Sequence, residues 1–208
     1  MKNKGVLYAL CAGISWGISL GIFGRTMTSF GFTAMQVSAV RTTISAITFI
    51  ILALVTDRKA FRLNPKDIWI FLCSGFISVT LFCWCYFTST RLCSLAVGGV
   101  LQYTAPVWVV GFSAVIFKEP ITKVKAAAML VAIAGCVLVS GITHGVGQVS
   151  AFGLVAGVFS GITYGSYTIF TRFAVPKYRT MTINVYTFIV ASATSLLLSG
   201  PVKTVSAV

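Results

Sequence analysis

Seven apolar stretches, near residues 5–24, 34–56, 68–89, 93–117, 121–141, 150–171 and 181–199, follow one another with only short charged connections between them. Most approach the ~20 residues that an α-helix needs to cross the hydrocarbon core of a bilayer. Nothing else constrains the fold as strongly, because backbone in lipid must satisfy its own hydrogen bonds, and segments of this length do so as helices. Composition agrees: 57% of residues are hydrophobic and 9% charged, with mean hydropathy +0.96, whereas a soluble domain carries about 25% charged residues. The expected fold is therefore all-α: a polytopic, multi-pass membrane protein of about seven transmembrane helices, with the lipid bilayer as its constant partner. The run after Met1–Lys4 is longer than a signal-peptide core and reads as an uncleaved first helix.

A net charge of +13 would suggest nucleic acid in a soluble chain. Here the bases sort by side instead. Lys2 and Lys4, then Arg58, Lys59, Arg62 and Lys66, then Lys118, Lys123 and Lys125, then Arg172, Lys177 and Arg179 occupy alternate connections, whereas the other set holds Arg25, Arg91 and Lys203. This is the positive-inside pattern, which puts the amino terminus in the cytoplasm and the chain in the cytoplasmic (inner) membrane. Topology accounts for the basic excess, and no nucleic-acid partner is expected. The six cysteines, Cys11, Cys73, Cys83, Cys85, Cys93 and Cys136, fall in or at the ends of apolar stretches and read as small buried hydrophobes rather than a disulfide framework. Cys83 and Cys85 would point ~200° apart on a helix, so no metal site and no cofactor is expected.

Residues 13–17 read GISWG and residues 161–165 read GITYG. The match extends without gaps: Gly5-Val-Leu aligns with Gly153-Leu-Val, Ser15 with Thr163, Trp16 with Tyr164 and Gly17 with Gly165. Small residues recur every fourth position in both copies, at Gly5, Ala9, Gly13, Gly17 and Gly21, and at Gly153, Gly157, Gly161 and Gly165. Such a stripe lets a neighbouring backbone approach closely. Helix packing explains the glycines, but it does not explain why both copies keep the order hydroxyl, large aromatic, glycine. Five spans separate the copies, so the second must enter the membrane from the opposite face. Inverted repeats of this kind recur in secondary transporters, where two similar halves rock about a midplane site. Each half is expected to place an equivalent helix at a moving seam.

Five segments together resemble one family: Ala12-Gly-Ile-Ser-Trp16-Gly17; Arg41 early in span two; Leu101-Gln-Tyr-Thr-Ala-Pro106-Val; Phe117-Lys-Glu119-Pro-Ile-Thr122; and Gly135-Cys-Val-Leu-Val139. In this order and spacing the chain resembles the EamA-type carriers of the drug/metabolite transporter superfamily. The resemblance implies a ten-helix fold made of two inverted five-helix repeats, with 5–141 as the first and 150–208 as the start of an incomplete second. Family members often carry Gly just before the glutamate, where this chain has Lys118. Spans equivalent to eight, nine and ten are absent from the sequence. The expectation is a carboxy-terminally truncated product or abbreviated sequence, or else a second chain supplying the missing helices.

Candidate solute contacts follow from cost and geometry. Arg41 is the ionisable side chain set inside a clear span; burying it costs roughly 2.5–3.5 kcal/mol, so it must meet a solute, a gate or a structural partner, or snorkel. Pro106 removes an interior hydrogen bond and frees the Gln102 carbonyl. Gly99, Gln102, Tyr103 and Pro106 would share one helical face, either a polar notch for solute or a kinked packing seam. Trp16, Tyr86 and Tyr164 could wall a site or simply fill the core. Glu119 precedes Pro120 at the start of span five and reads as a dipole cap, or as a gate residue pairing with Arg172 or a loop lysine. His144 reads as a solvated residue of the outer loop Gly141–Gln148.

Only three acidic residues exist and none lies deep in a span, so a carboxylate proton relay or Na⁺ site is not encoded here, and facilitated transport or exchange fits better. Intramembrane catalysis would need acids or histidines that the spans lack, so an enzyme is not expected. The reading is a permease or exporter of small organic metabolites, such as amino acids or amphiphilic compounds, working by alternating access. The alternatives are a membrane-embedded assembly or regulatory subunit, or a nonfunctional truncated carrier.

Overall fold

The computed structural model describes residues 2–139 and 150–199; the loop Gly141–Gln148 with His144, Lys203, and the side chains of Lys2, Lys4 and Cys136 lie outside the described residues. The described residues form seven helices with no strand. Helix α1 runs Lys2–Gly17, widens into a π-helical stretch at Ile18–Ile22 and closes with Phe23–Ser29. Helix α2 is Ala34–Thr56, and α3 is Pro65–Leu92 with a π-helical stretch at Phe76–Leu81. Helix α4, Leu95–Phe117, is broken into Leu95–Gln102 and Ala105–Phe117. Helices α5, α6 and α7 are Lys123–Val139, Ala151–Ala174 and Thr180–Ser199. Four of the seven, α2, α3, α4 and α7, are long and apolar enough to cross a membrane, with mean hydropathy of 1.9, 2.0, 1.6 and 1.6. Two of the others fall outside that measure for separate reasons: α5 is described over 17 residues, and α6 is diluted by Gly, Ser, Thr and Tyr.

Local chemistry sets the helix ends. Thr33 and Gln36 form a reciprocal capping box at the start of α2, satisfying two amides that the first turn leaves without partners. Ser94 and Ser150 cap α4 and α6 by accepting from the amides of Val97 and Gly153. Gly31, at φ +85°, makes the turn between α1 and α2. Lys118 ends α4 in the left-handed region at φ 54° and ψ 32°. This is the position where the family often has glycine, and a β-carbon there costs about 1–2 kcal/mol.

Helix α7 packs along α2 and against α3. A row of hydroxyl pairs joins them: Thr43 with Ser192 at 2.8 Å, Ser38 with Ser195 at 3.2 Å, Thr80 with Thr194 at 2.8 Å and Ser74 with Thr187 at 3.1 Å. Between helices in lipid such bonds contribute because water is not the competitor. Gly75 lets α3 approach so closely that a β-carbon there would sit 2.7 Å from the Thr187 carbonyl oxygen.

The two glycine stripes have unlike surroundings. On α6, a β-carbon at Gly153 would stand 2.6 Å from Cys93 Sγ, one at Gly157 would stand 2.7 Å from Ser89 Oγ, and those at Gly161 and Gly165 would stand 3.1 Å from the carbonyls of Leu101 and Ala105. On α1, β-carbons at Gly5, Gly13, Gly17 and Gly21 would meet nothing within 4 Å. The expectation of two matching seams is corrected to one among the described residues. Helix α6 runs against α3 and α4, while the α1 glycine face meets no described neighbour.

Span four also differs from expectation. The helix stops after Gln102, turns through Tyr103 and Thr104, and restarts with Pro106 in its first turn. Pro106 therefore sits where a helix has spare amides, rather than deleting an interior hydrogen bond. The break interrupts the 3.6-residue period, so Gly99, Gln102, Tyr103 and Pro106 do not form one face. Gln102 is buried, whereas Tyr103 is 69% exposed. Thr104 at the break donates to the Leu101 carbonyl and accepts from the Trp108 indole.

Candidate functional site

A cavity of about 270 Å³ opens among five helices. Helix α1 contributes Trp16; α2 contributes Arg41 and Phe49; α3 contributes Ser78, Val79 and Phe82; α6 contributes Tyr164 and Tyr167; α7 contributes Asn184 and Phe188. Both π-helical stretches serve this region. Ser19 in the first accepts a hydrogen bond from Arg41, and Ser78 and Val79 in the second line the wall. A π turn pushes one residue out of helical register, and such turns concentrate at functional sites.

Arg41 is 8% exposed. Its Nε donates to Ser19 Oγ at 2.9 Å, its Nη1 to Cys83 Sγ at 3.1 Å, and its guanidinium carbon lies 5.5 Å from the centre of the Trp16 ring. Every one of these partners is neutral. Nη2 has no hydrogen-bond partner among the described residues. The three carboxylates of the sequence are all engaged elsewhere: Glu119 with Arg172 at 2.6 Å, Asp67 with Lys177 at 2.6 Å and Asp57 with Arg179 at 2.9 Å. Arg41 also edges a second cavity of about 220 Å³ beside Ser19 and Ser45.

Aromatic rings fill the rest of the wall. Trp16 and Tyr164, which align between the twin pentapeptides, face one another with ring centroids 5.7 Å apart and planes tilted by 54°. Tyr164 also leans on Phe82 at 5.2 Å. Tyr86 is buried behind Phe82, 5.9 Å away, and is not a lining residue. Tyr167 donates to Asn184 Oδ1 at 3.3 Å, and Ser78 shares a hydrogen bond with Ser166 at 2.7 Å.

The structure thus brings together Trp16, Arg41 and Tyr164 from the sequence-based candidates and leaves Gly99, Gln102, Tyr103 and Pro106 outside this cavity. Sequence reasoning missed Phe49, Ser78, Phe82, Tyr167, Asn184 and Phe188. An amide within an apolar span was a usable signal for Asn184, but the aromatics carried none, being ordinary core residues by type. Cys83 is buried as expected, yet it also serves as a hydrogen-bond acceptor for Arg41. Cys11, read as buried, is exposed.

The ion pairs tie three connections into one end of the bundle. Glu119 joins the α4–α5 link to Arg172 of α6, whose guanidinium also lies 4.1 Å from the Phe117 ring centre, with Lys125 at 3.8 Å. Asp67 at the start of α3 binds Lys177 and accepts from Tyr178, and Asp57 after α2 binds Arg179. Hydrogen bonding to Arg172 holds the Glu119 carboxyl below its usual range, and Arg179 does the same for Asp57. The cap expected of Glu119 is corrected: α5 begins at Lys123, and Thr122 Oγ1 takes the Lys125 amide. Glu119 lies too far ahead of that first turn to cap it and pairs with Arg172 instead.

A family model described as the EamA-like transporter family matches residues 3–141, from α1 through α5. No curated protein and no solved structure matches the chain. Members of the family are membrane transporters rather than enzymes, which accords with an all-helical bundle of apolar spans around a cavity that holds a buried cation. With more than half of its length matched, this multi-pass membrane protein belongs to the EamA-like transporter family.

Proposed function

We propose that the chain forms the solute path of a carrier for small organic metabolites, such as amino acids or amphiphilic compounds, and that it works by alternating access. One observation carries the reading: Trp16 and Tyr164, equivalent positions of the twin pentapeptides, meet in a cavity built from α1, α2, α3, α6 and α7, with the Arg41 guanidinium against the Trp16 ring. Equivalent residues approach one another near a pseudo-two-fold axis, and in inverted-repeat carriers that axis passes through the solute site. We assign residues 5–141 to the first repeat and 150–208 to part of a second, with the amino terminus in the cytoplasm of the cytoplasmic membrane. Trp16, Arg41 and Tyr164 contact the solute, with Tyr86 supporting the wall. Glu119 and Arg172 belong to a clasp at the cytoplasmic end that must loosen when that end opens. With no carboxylate near the cavity, solute exchange or facilitated flux is the mode that these residues support.

Reconstituted vesicles loaded with a mixed pool of labelled metabolites test this. Counterflow is expected in the wild type, with a loss of roughly tenfold or more in Arg41→Gln, since one charge-assisted contact is worth about 1.5–3 kcal/mol. Absence of counterflow for every solute in the pool refutes the carrier reading. A second reading, a membrane-embedded subunit completed by another chain, is favoured by the α1 glycine face that meets nothing within 4 Å.

A further inference from the structure

The geometry points to a monoanionic amphiphile, a compact carboxylate on an apolar or aromatic body, as the ligand class of the Trp16–Arg41–Tyr164 cavity, selected over zwitterions and amines. The inference rests on the carrier reading for its biological meaning, but it concerns binding. A guanidinium carries five N–H donors and no acceptor. In Arg41 the neutral Ser19 hydroxyl and Cys83 sulfur occupy Nε and part of Nη1, and Nη2 has no partner among the described residues. A buried cation held only by neutral groups favours the arrival of an anion. This sequence has no carboxylate side chain left to provide one, because each of its three is clasped at the far connections.

The rest of the cavity decides between anion and zwitterion. An ammonium brought in with the carboxylate would share the void with Arg41, a like charge, and would need acceptors to replace its water. Those available are neutral: Asn184 Oδ1, which already accepts from Tyr167, and the hydroxyl oxygens of Ser78, Tyr164 and Tyr167. Ring faces remain, yet Trp16 is already covered by Arg41. Phe49, Phe82 and Phe188 offer apolar contact that suits a ring or short alkyl body. A volume of about 270 Å³ lies at the small end of the ~300–1,000 Å³ typical of ligand pockets, room for one ring and a short acid arm rather than a whole lipid.

The test is equilibrium binding of radiolabelled phenylpropionate to the purified full chain in phosphatidylcholine nanodiscs, with phenylalanine, phenethylamine and neutral phenylpropionamide as competitors. These share one ring and differ in charge. The expected order is phenylpropionate tightest, phenylalanine about ten- to a hundredfold weaker, and phenethylamine weakest. Arg41→Lys should keep the order, and Arg41→Gln should abolish it, with an unchanged far-ultraviolet circular dichroism spectrum and unfolding midpoint to show that the variant is folded. Phenylalanine equal to or tighter than phenylpropionate in the wild type overturns the assignment, without recourse to any variant. So does an order that survives in Arg41→Gln. Displacement of phenylpropionate by added phosphatidylglycerol overturns it too, since it would make the site a lipid-headgroup site. Flux separates this inference from the carrier reading. Carboxylates that bind in the stated order but never show counterflow refute transport and leave the ligand class standing, while counterflow of amino acids with carboxylates ignored does the reverse.

Discussion

Substituting alanine for one glycine in each stripe should give opposite results, although the two positions look alike in the sequence. At Gly157 the new β-carbon would stand 2.7 Å from Ser89 Oγ and 2.9 Å from Leu101 Cβ, closer than side-chain carbons approach, so α6 must move away from α3 and α4. Overpacking of this kind costs about 1–3 kcal/mol. At Gly13 nothing lies within 4 Å, so Gly13→Ala retains only the gain in helix propensity, up to about 1 kcal/mol. Both changes remove the same backbone freedom from the unfolded chain, so that contribution cancels in the difference between the variants. What remains is the packing cost of the α6 seam, about 1–3 kcal/mol. Reversible unfolding in mixed micelles, followed by far-ultraviolet circular dichroism, measures it for both variants against the wild type. Equal stabilities for Gly157→Ala and Gly13→Ala would refute the claim that only the second stripe is a tight seam.

Lys118→Gly should stabilise the chain by about 1 kcal/mol in the same unfolding assay, because glycine adopts φ 54° without the β-carbon penalty. Thr80→Val should cost about 1–2 kcal/mol, since Thr80 bonds to the Ala191 carbonyl, Thr194 and Ser195 in one interhelical knot; an unchanged midpoint would count against that knot. Asp57 and Glu119 have folded-state pKa values below those of free carboxyls, so their contribution is complete above about pH 4, the unfolded value, and fades as pH falls through the lower folded values. Stability measured down through acid pH should therefore drop, and Glu119→Gln should flatten part of that drop. Single cysteines placed in 58–66 and 141–148 should label from opposite faces of inside-out vesicles, and labelling from one face would overturn the alternation of spans.

Much of this architecture is written locally. Hydropathy and length place the seven helices to within a few residues, because a segment in lipid has no partner for its backbone except itself. Lysines and arginines mark which connections share an end, and the ion pairs among Asp57, Asp67, Glu119 and the bases of the α6–α7 region join those same connections. Arg41, Trp16 and Tyr164 stood out as a costly charge in a span and as the aromatic positions of a repeated pentapeptide. What a linear pattern could not carry was which surface each stripe meets. Gly13 and Gly161 occupy equivalent places in equivalent words, yet only one is covered by a neighbour, a fact that belongs to the arrangement of other helices. The face predicted for Gly99, Gln102, Tyr103 and Pro106 failed because periodicity assumes an unbroken helix, and the chain turns at Tyr103 and Thr104. The cavity itself exists only in three dimensions: its walls come from five segments, and Phe49, Asn184 and Phe188 become site residues solely because packing carries them to Arg41.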